Sequence, residues 1–487
     1  MTTSPIALAV SSSAASAPPR PTTLDPASII AGCLSFVLLL FLPELLNDGD
    51  TLWQIRTGDW ILDHRAIPAI DPFSFTAADR PWAAHEWLAE TLMALAERAG
   101  GMPGLMALAA GATGLTAAVL LHHLRRFLPD RYALLALIVA LGNAAPSMLA
   151  RPHLIAWPCL ALWCGGLVTA RADRRAPAWT LLPVMLIWVN LHGSFMFGLL
   201  LPAAFMIEAL VDQNTGRRHA LIAWTRFIAA AWLVALINPD GLAGILFPIR
   251  LIGMQSLTWI KEWQPPDWSN FPPIEVIILG GLALGLTSPV RLPPIRLLIL
   301  LALIHAALSH ARNEQLVGIV GVLVLAEPLG TSLAPGPARP LGQPWRARSA
   351  GAALIALCAL LLRIALPIGP DRTGATFAAV LNAVPPSQRA QPVLNDYSLG
   401  GPLIFNGVRP FIDGRADLYG DAFLSRYHRI ATADRAELDR ALTEYRITWT
   451  IFPANHVVVA LLDQQPGWRR LLTTGGIVIH VRDDPGP

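Results

Sequence analysis

Two carboxylates two residues apart, Asp48 and Asp50, open the run Asn47-Asp-Gly-Asp-Thr-Leu-Trp-Gln-Ile-Arg-Thr-Gly-Asp-Trp60. Carboxylate oxygens at that spacing can hold a divalent cation such as Mg or Mn. Alternatively, one of them can take the proton of an acceptor hydroxyl as general base. The plain alternative is a helix N-cap followed by a solvated loop. Trp53, Arg56, Asp59, Trp60, His64 and Asp71 crowd the same connector, which favours chemistry over linkage. The connector ends Pro81-Trp-Ala-Ala-His-Glu-Trp-Leu88. His85-Glu86 begins like a zinc-protease helix, but Ala89 stands where the second His is required, which excludes that motif. His85 and Glu86 either face the same site or sit at headgroup level between Trp82 and Trp87, in an interfacial aromatic belt.

Three more polar groups interrupt long apolar stretches: Arg151-Pro-His153, Asn190-Leu-His-Gly193 and Ser309-His-Ala-Arg-Asn313. Arg151, His153, Asn190, His192, His310 and Arg312 are therefore candidate substrate-binding residues, with Trp53, Arg56, His85 and Glu86. A guanidinium fork suits phosphate. A long Arg at a helix end also snorkels to headgroups with no further role. Three such groups on one side favour binding, because ionisable residues at membrane depth are costly. Lys261-Glu-Trp-Gln-Pro-Pro-Asp-Trp268 suits either a sugar- or lipid-contacting loop or an interfacial anchor. Gly281 and Gly285 form one GxxxG, a helix-packing signal. In Phe411-Ile-Asp-Gly-Arg-Ala-Asp-Leu-Tyr419, Asp413-Gly414 reads as a hairpin turn. Arg415 and Asp417 beside it are placed to reach the membrane mouth.

The elements that must position these groups are membrane helices. The 487 residues are 54% hydrophobic and 14% charged, against about 25% charged in a soluble domain. Mean hydropathy is +0.50. A span needs about 20 mainly apolar residues. Candidates lie near 27–46, 101–121, 131–149, 154–170, 178–190, 194–211, 220–237, 272–288, 295–310, 314–331 and 350–368, about eleven transmembrane helices. Segment 87–99 reads as interfacial. Alternate loops carry Arg125, Arg126 and Arg131; Arg171, Arg174 and Arg175; Arg217 and Arg218; Arg291 and Arg296; and Arg339, Arg346 and Arg348. By the positive-inside rule these face the cytoplasm. The opposite loops, 47–86 foremost, hold every candidate site residue on the outer side.

Residues 1–26, rich in Ser, Ala and Pro, read as a disordered cytoplasmic tail without the basic start of a secretory signal. Residues 27–368 form the multi-span domain. Residues 369–487 read as a small extracytoplasmic α/β domain, with strands at 392–395, 402–406, 409–412, 449–452 and 476–482 and a capping-box helix from Asp434 to about Tyr445. Cys33, Cys159, Cys164 and Cys358 lie in apolar runs, which argues against a disulfide framework. No basic run interleaves with aromatics, which argues against a nucleic-acid partner.

With these residues in view, the chain resembles the bacterial GT-C-type integral membrane glycosyltransferases, a superfamily that includes protein mannosyltransferases and lipid A aminoarabinose transferases. The shared pattern is an acidic pair just after the first helix, a long first outer loop, many spans and an outer C-terminal domain. More closely it resembles an uncharacterised bacterial subgroup with a DGDTxW…TGxWIL…IPxxDPFSFT…PWxxHEWLxE loop and an FIDGRADLY segment. The resemblance implies a polyprenyl-phosphate-linked sugar donor, a cell-envelope acceptor and a place in the bacterial inner membrane among its lipids. It also implies that Asp48 or Asp50 is the loop carboxylate that deprotonates the acceptor or helps hold a metal. A flippase of lipid-linked glycans and a non-catalytic scaffold are the rival functions.

Overall fold

A computed structural model describes residues 24–212, 216–288, 290–333, 343–368 and 375–483. Most of the expected tail, the loop holding Arg339 and the first residues of the expected outer domain lie outside the described residues.

The chain is mostly helical: each apolar segment read from the sequence forms a helix, and two further helices lie between them. In chain order the helices are α1 (Pro26–Leu40), α2 (Asp50–His64), α3 (Trp87–Phe127), α4 (Asp130–Ala144), α5 (Pro152–Ala172), α6 (Leu182–Leu191), α7 (Phe195–Val211), α8 (Arg217–Ala235), α9 (Leu242–Ile252), α10 (Pro273–Thr287) and α11 (Pro294–Ser309). Next, α12 (Glu314–Leu316) runs through a π-helical turn, Val317–Gly321, into α13 (Val322–Leu333), and α14 (Gln343–Ala365) follows. Among the described residues four helices are long and apolar enough to cross a membrane: Trp87–Phe127, Pro152–Ala172, Ala311–Ser332 and Trp345–Ala365. The others are shorter or less apolar.

Local chemistry sets these boundaries. Asp25 caps α1 by accepting from the amides of Ala27 and Ser28, with Pro26 at the first helical position. α2 and α9 fall within segments that the sequence reading left as loops. The supposed interfacial helix 87–99 is the first part of the 41-residue α3, which bends at Gly101 (φ 60°), two residues before Pro103. A positive φ suits glycine, so the chain turns there and resumes. At Gly58 α2 packs so closely on α3 that a Cβ would lie 2.0 Å from the Glu90 carbonyl oxygen.

Charge is segregated to the ends. Arg151 caps the start of α5, and Arg171 lies in its last turn, about 30 Å away at 1.5 Å per residue. At that far end Arg171 pairs with Glu208 and Asp212, and Arg296 with Glu208 and Glu327.

The C-terminal unit is α/β. Its sheet has the order β1 (Val393–Asn395), β2 (Trp449–Pro453), β4 (Ile477–Arg482), β3 (Trp468–Thr474). β1 is parallel to β2, and the other pairings are antiparallel. The helix expected from Asp434 is Arg435–Glu444, with Asp434 capping the Glu437 amide. Two expected strands are absent. Residues 402–406 belong to the helix Gly400–Phe405, and 409–412 are irregular. A short apolar run has no period long enough to separate strand from helix. Asp413-Gly414 makes no hairpin, since it leads into the helix Ala416–Ala431. One hydrophobic core joins this unit to the segment from α2 to the start of α3, with Trp53, Ala77, Trp82 and Ala84 packed among Phe411, Ile412, Tyr419 and Phe423.

Candidate functional site

The acidic pair converges on a single guanidinium. Asp48 ends the turn before α2, and its Oδ1 accepts the Asp50 amide at 2.9 Å. Arg151 arrives from the start of α5, 103 residues later. Both backbone polar groups of Ala150 are tied to the acidic segment. Its amide donates to the Leu45 carbonyl at 2.8 Å, and its carbonyl accepts from Thr51 Oγ1 at 3.1 Å. Arg151 Nη2 then donates to Asp48 Oδ1 at 2.8 Å and to Asp50 Oδ2 at 2.5 Å, and Nε pairs with Asp48 Oδ2. Its Nη1 donates to Glu262 Oε2 at 2.7 Å. Asp50 Oδ1 accepts from the Trp53 indole at 3.1 Å.

Glu262 carries the network onward to Arg312, 3.5 Å from its other oxygen. The Arg312 guanidinium lies over the Trp263 ring, 4.2 Å from its centroid. Across from them, Glu86 lies 3.5 Å from His192 Nε2 and 3.7 Å from His85 Nε2. The His192 and His153 rings are 6.0 Å apart, and His85 stacks on Phe247.

The C-terminal unit closes over this array. Asp413 and Asp71 hold Arg415 between them, with hydrogen bonds of 2.6–2.8 Å, and Arg415 is 1% exposed. Its guanidinium lies 4.7 Å from the Trp82 ring centroid. Glycine allows the closest approaches. A Cβ on Gly414 would lie 1.8 Å from Asp50 Oδ1, and one on Gly401 would lie 2.0 Å from the Gly49 carbonyl. Tyr397, Ser398 and Asp417 thereby become walls of the same space.

The cavity has a volume of about 320 Å³. Of the residues selected from sequence, Asp48, Asp50, Trp53, His85, Glu86, Arg151, His153, His192 and Arg312 line it. Three others do not. Arg56 donates to the Phe405 carbonyl and ties α2 to the C-terminal unit. Asn190 accepts from the Trp87 indole and donates to the Leu186 and Ile237 carbonyls. His310 Nδ1 is 2.6 Å from the Trp263 carbonyl oxygen. Glu262 is the residue that sequence reasoning overlooked: its segment was marked, but only the tertiary fold brings it between Arg151 and Arg312. Asp417 lines the cavity, while the Arg415 beside it is committed to Asp71 and Asp413.

Burial sets the proton affinities. It pushes Asp50 up to about 7, aided by Glu262 and Asp413 and opposed by the Trp53 indole. It pushes Glu86 up to about 8 against the pull of Arg312, and Asp417 up to about 6 against Arg415. It lowers His85 to about 4. Burial would raise Glu262 too, but Arg151 and Arg312 overcome it and hold the carboxyl at about 2. The site thus offers carboxyls that exchange protons near neutrality beside one that stays ionised.

The expected divalent cation does not suit this donor set. Three of the four oxygens of Asp48 and Asp50 accept hydrogen bonds from Arg151, Trp53 or the Asp50 amide, and the fourth, Asp48 Oδ2, is ion-paired with Arg151 Nε. Among the described residues no three His, Cys, Asp or Glu side chains form a metal-holding group.

No family model and no curated sequence matches the chain. A solved structure does, that of the oligosaccharyltransferase of Archaeoglobus fulgidus in its apo form. The TM-score is 0.54 at 12% identity, over 88% of this chain and 69% of that one. The fold is similar to that of this oligosaccharyltransferase. At that identity the likeness is one of fold alone.

Proposed function

We propose that the chain is a membrane glycosyltransferase that moves a sugar from a polyprenyl-phosphate carrier to a cell-envelope acceptor at the outer face of the bacterial inner membrane. One observation carries this reading. Acidic groups and cationic groups from five sequence-distant segments line one cavity between the helical body and the outer domain. This reading takes the eleven spans expected from the sequence, with the arginine-rich loops inside, so that the cavity faces the outer side.

In this reading Asp50 is the base. The acceptor hydroxyl gives its proton to Asp50, and its oxygen bonds to the anomeric carbon. The bond from that carbon to the phosphate oxygen breaks, and its electron pair leaves with the lipid phosphate. Arg312 and Lys261, with His153 and His192 alongside, face the charge that develops there. Arg151, already ringed by three carboxylates, positions Asp48 and Asp50 instead. A flippase would need charges along a path through the body. Here Arg151 and Arg171 stand at opposite ends of α5.

The test is turnover of lipid-linked sugar in membranes carrying Asp50→Asn or Asp48→Asn. Loss of a general base costs about 10²–10⁴-fold, so Asp50→Asn should lose nearly all turnover at a normal protein level. Near-normal turnover in both variants would remove the mechanism.

A further inference from the structure

We infer that Arg151 occupies the position of a divalent cation in this site, so that the acidic pair works without a bound metal. The role of Arg151 in turnover rests on the transferase reading, whereas its occupancy of the cation position does not.

A divalent ion held by protein oxygens takes about six ligands at 2.0–2.6 Å. The side chains nearest to such a shell are Asp48, Asp50 and Glu262, and Arg151 lies at their common centre. Each of its three nitrogens is engaged: Nε with Asp48, Nη2 with Asp48 and Asp50, and Nη1 with Glu262. The remaining Asp50 oxygen faces the Trp53 indole, and Asp48 also accepts the Asp50 amide. Three oxygens of the pair accept hydrogen bonds and the fourth, Asp48 Oδ2, is ion-paired with Arg151 Nε, so a cation entering there would meet a guanidinium. The position of Arg151 is built rather than incidental. Both polar groups of Ala150 fasten the preceding backbone to the acidic segment, and Pro152 starts α5 directly after it. A cation at a helix N-terminus is disfavoured by the helix dipole, so Arg151 is stable there because three carboxylates surround it. A planar fork also fixes carboxylate orientation, which a hydrated ion at an exchangeable site does not.

Two measurements on the purified full-length chain test this, one without catalysis. Wild-type protein is titrated with Mn²⁺ by paramagnetic resonance, and its thermal unfolding is followed with EDTA or with excess Mn²⁺. Arg151 in place predicts no stoichiometric Mn²⁺ and the same unfolding midpoint in both conditions. Arg151→Ala leaves Asp48, Asp50 and Glu262 without their shared cation. That variant should bind one Mn²⁺, with a dissociation constant of about 10⁻⁴–10⁻³ M as in weak oxygen sites, and its midpoint should rise on adding the ion. Further changing Asp48→Asn and Asp50→Asn should abolish that binding. One tightly held Mn²⁺ in the wild type, or a midpoint that collapses in EDTA, would overturn the inference even if Arg151→Ala does not fold. An Arg151→Ala protein that folds and takes up no Mn²⁺ would overturn it as well. In membranes, sugar turnover should survive EDTA. A chain that shows the Mn²⁺ pattern but no turnover would refute the transferase reading and leave Arg151's occupancy of the cation position standing.

Discussion

Glu86 shows how burial sets residue chemistry in this cavity. Its carboxyl takes up a proton at about 8 in the folded chain, against about 4.3 when unfolded. Between those values the folded state holds one proton more than the unfolded state. The stabilisation from this group is therefore complete below the unfolded value and is lost as pH rises through the folded one. The unfolding midpoint of the purified protein should fall between about pH 5 and pH 9, and Glu86→Gln, which keeps the neutral shape, should flatten that decline. A decline equally steep in the variant would assign the effect to other groups. Asp50, at about 7, should give turnover an ascending limb near neutrality, because a base acts only when deprotonated.

At the scale of elements, the decisive contact is the seating of the segment before helix Ala416–Ala431 on the outer stretch between α2 and α3. Arg415 is enclosed by Asp71 and Asp413, stacked on Trp82, and flanked by Tyr419, whose hydroxyl donates to Asp413 at 2.7 Å. Breaking a buried ion pair from one side costs about 3–5 kcal/mol, because the carboxylates stay buried without a partner. Arg415→Ala should accordingly lower the unfolding midpoint markedly and expose the outer domain to protease. Arg56→Ala, removing a partly exposed tie to the Phe405 carbonyl, should do much less. Equal effects would mean that Arg415 is not the main fastening.

At the scale of the molecule, the placement of the cavity depends on orientation. The proposed orientation, with arginine-rich loops inside and an odd number of spans, would put the C-terminal unit outside. A C-terminal alkaline phosphatase fusion should be active, and a fluorescent protein at the same place, exported unfolded, should stay dark. The reverse pattern would put the cavity at the cytoplasmic face and rule out a donor sugar presented outside. The two-ended charge distribution fits this orientation. Arg125 near the end of α3 pairs with Asp25 and Asp130, and Arg171 and Arg296 form their own network with Glu208, all at the end opposite the cavity.

Hydrophobic period and helix punctuation are local properties, and so the sequence by itself determined where the apolar helices run. Asp25-Pro26 opens α1, Arg151-Pro152 opens α5, and the strands around Trp449–Pro453 and Ile477–Arg482 follow their apolar runs. The groups suited to chemistry were also legible, because Asp48, Asp50, Arg151, His192 and Arg312 stand out against an apolar background. What sequence could not decide was which of them meet, since contact across 100 or more residues depends on packing. Arg56, Asn190 and His310 have the same character as the lining residues, yet backbone carbonyls claim them. Glu262 looked ordinary until the fold set it between two arginines. Residues 402–412 were misread because a short apolar run carries no period of its own, and their shape follows from docking onto α2. The acidic pair suggested a metal for the same reason: spacing reveals which oxygens lie near each other, but only tertiary structure places the guanidinium of Arg151 among them.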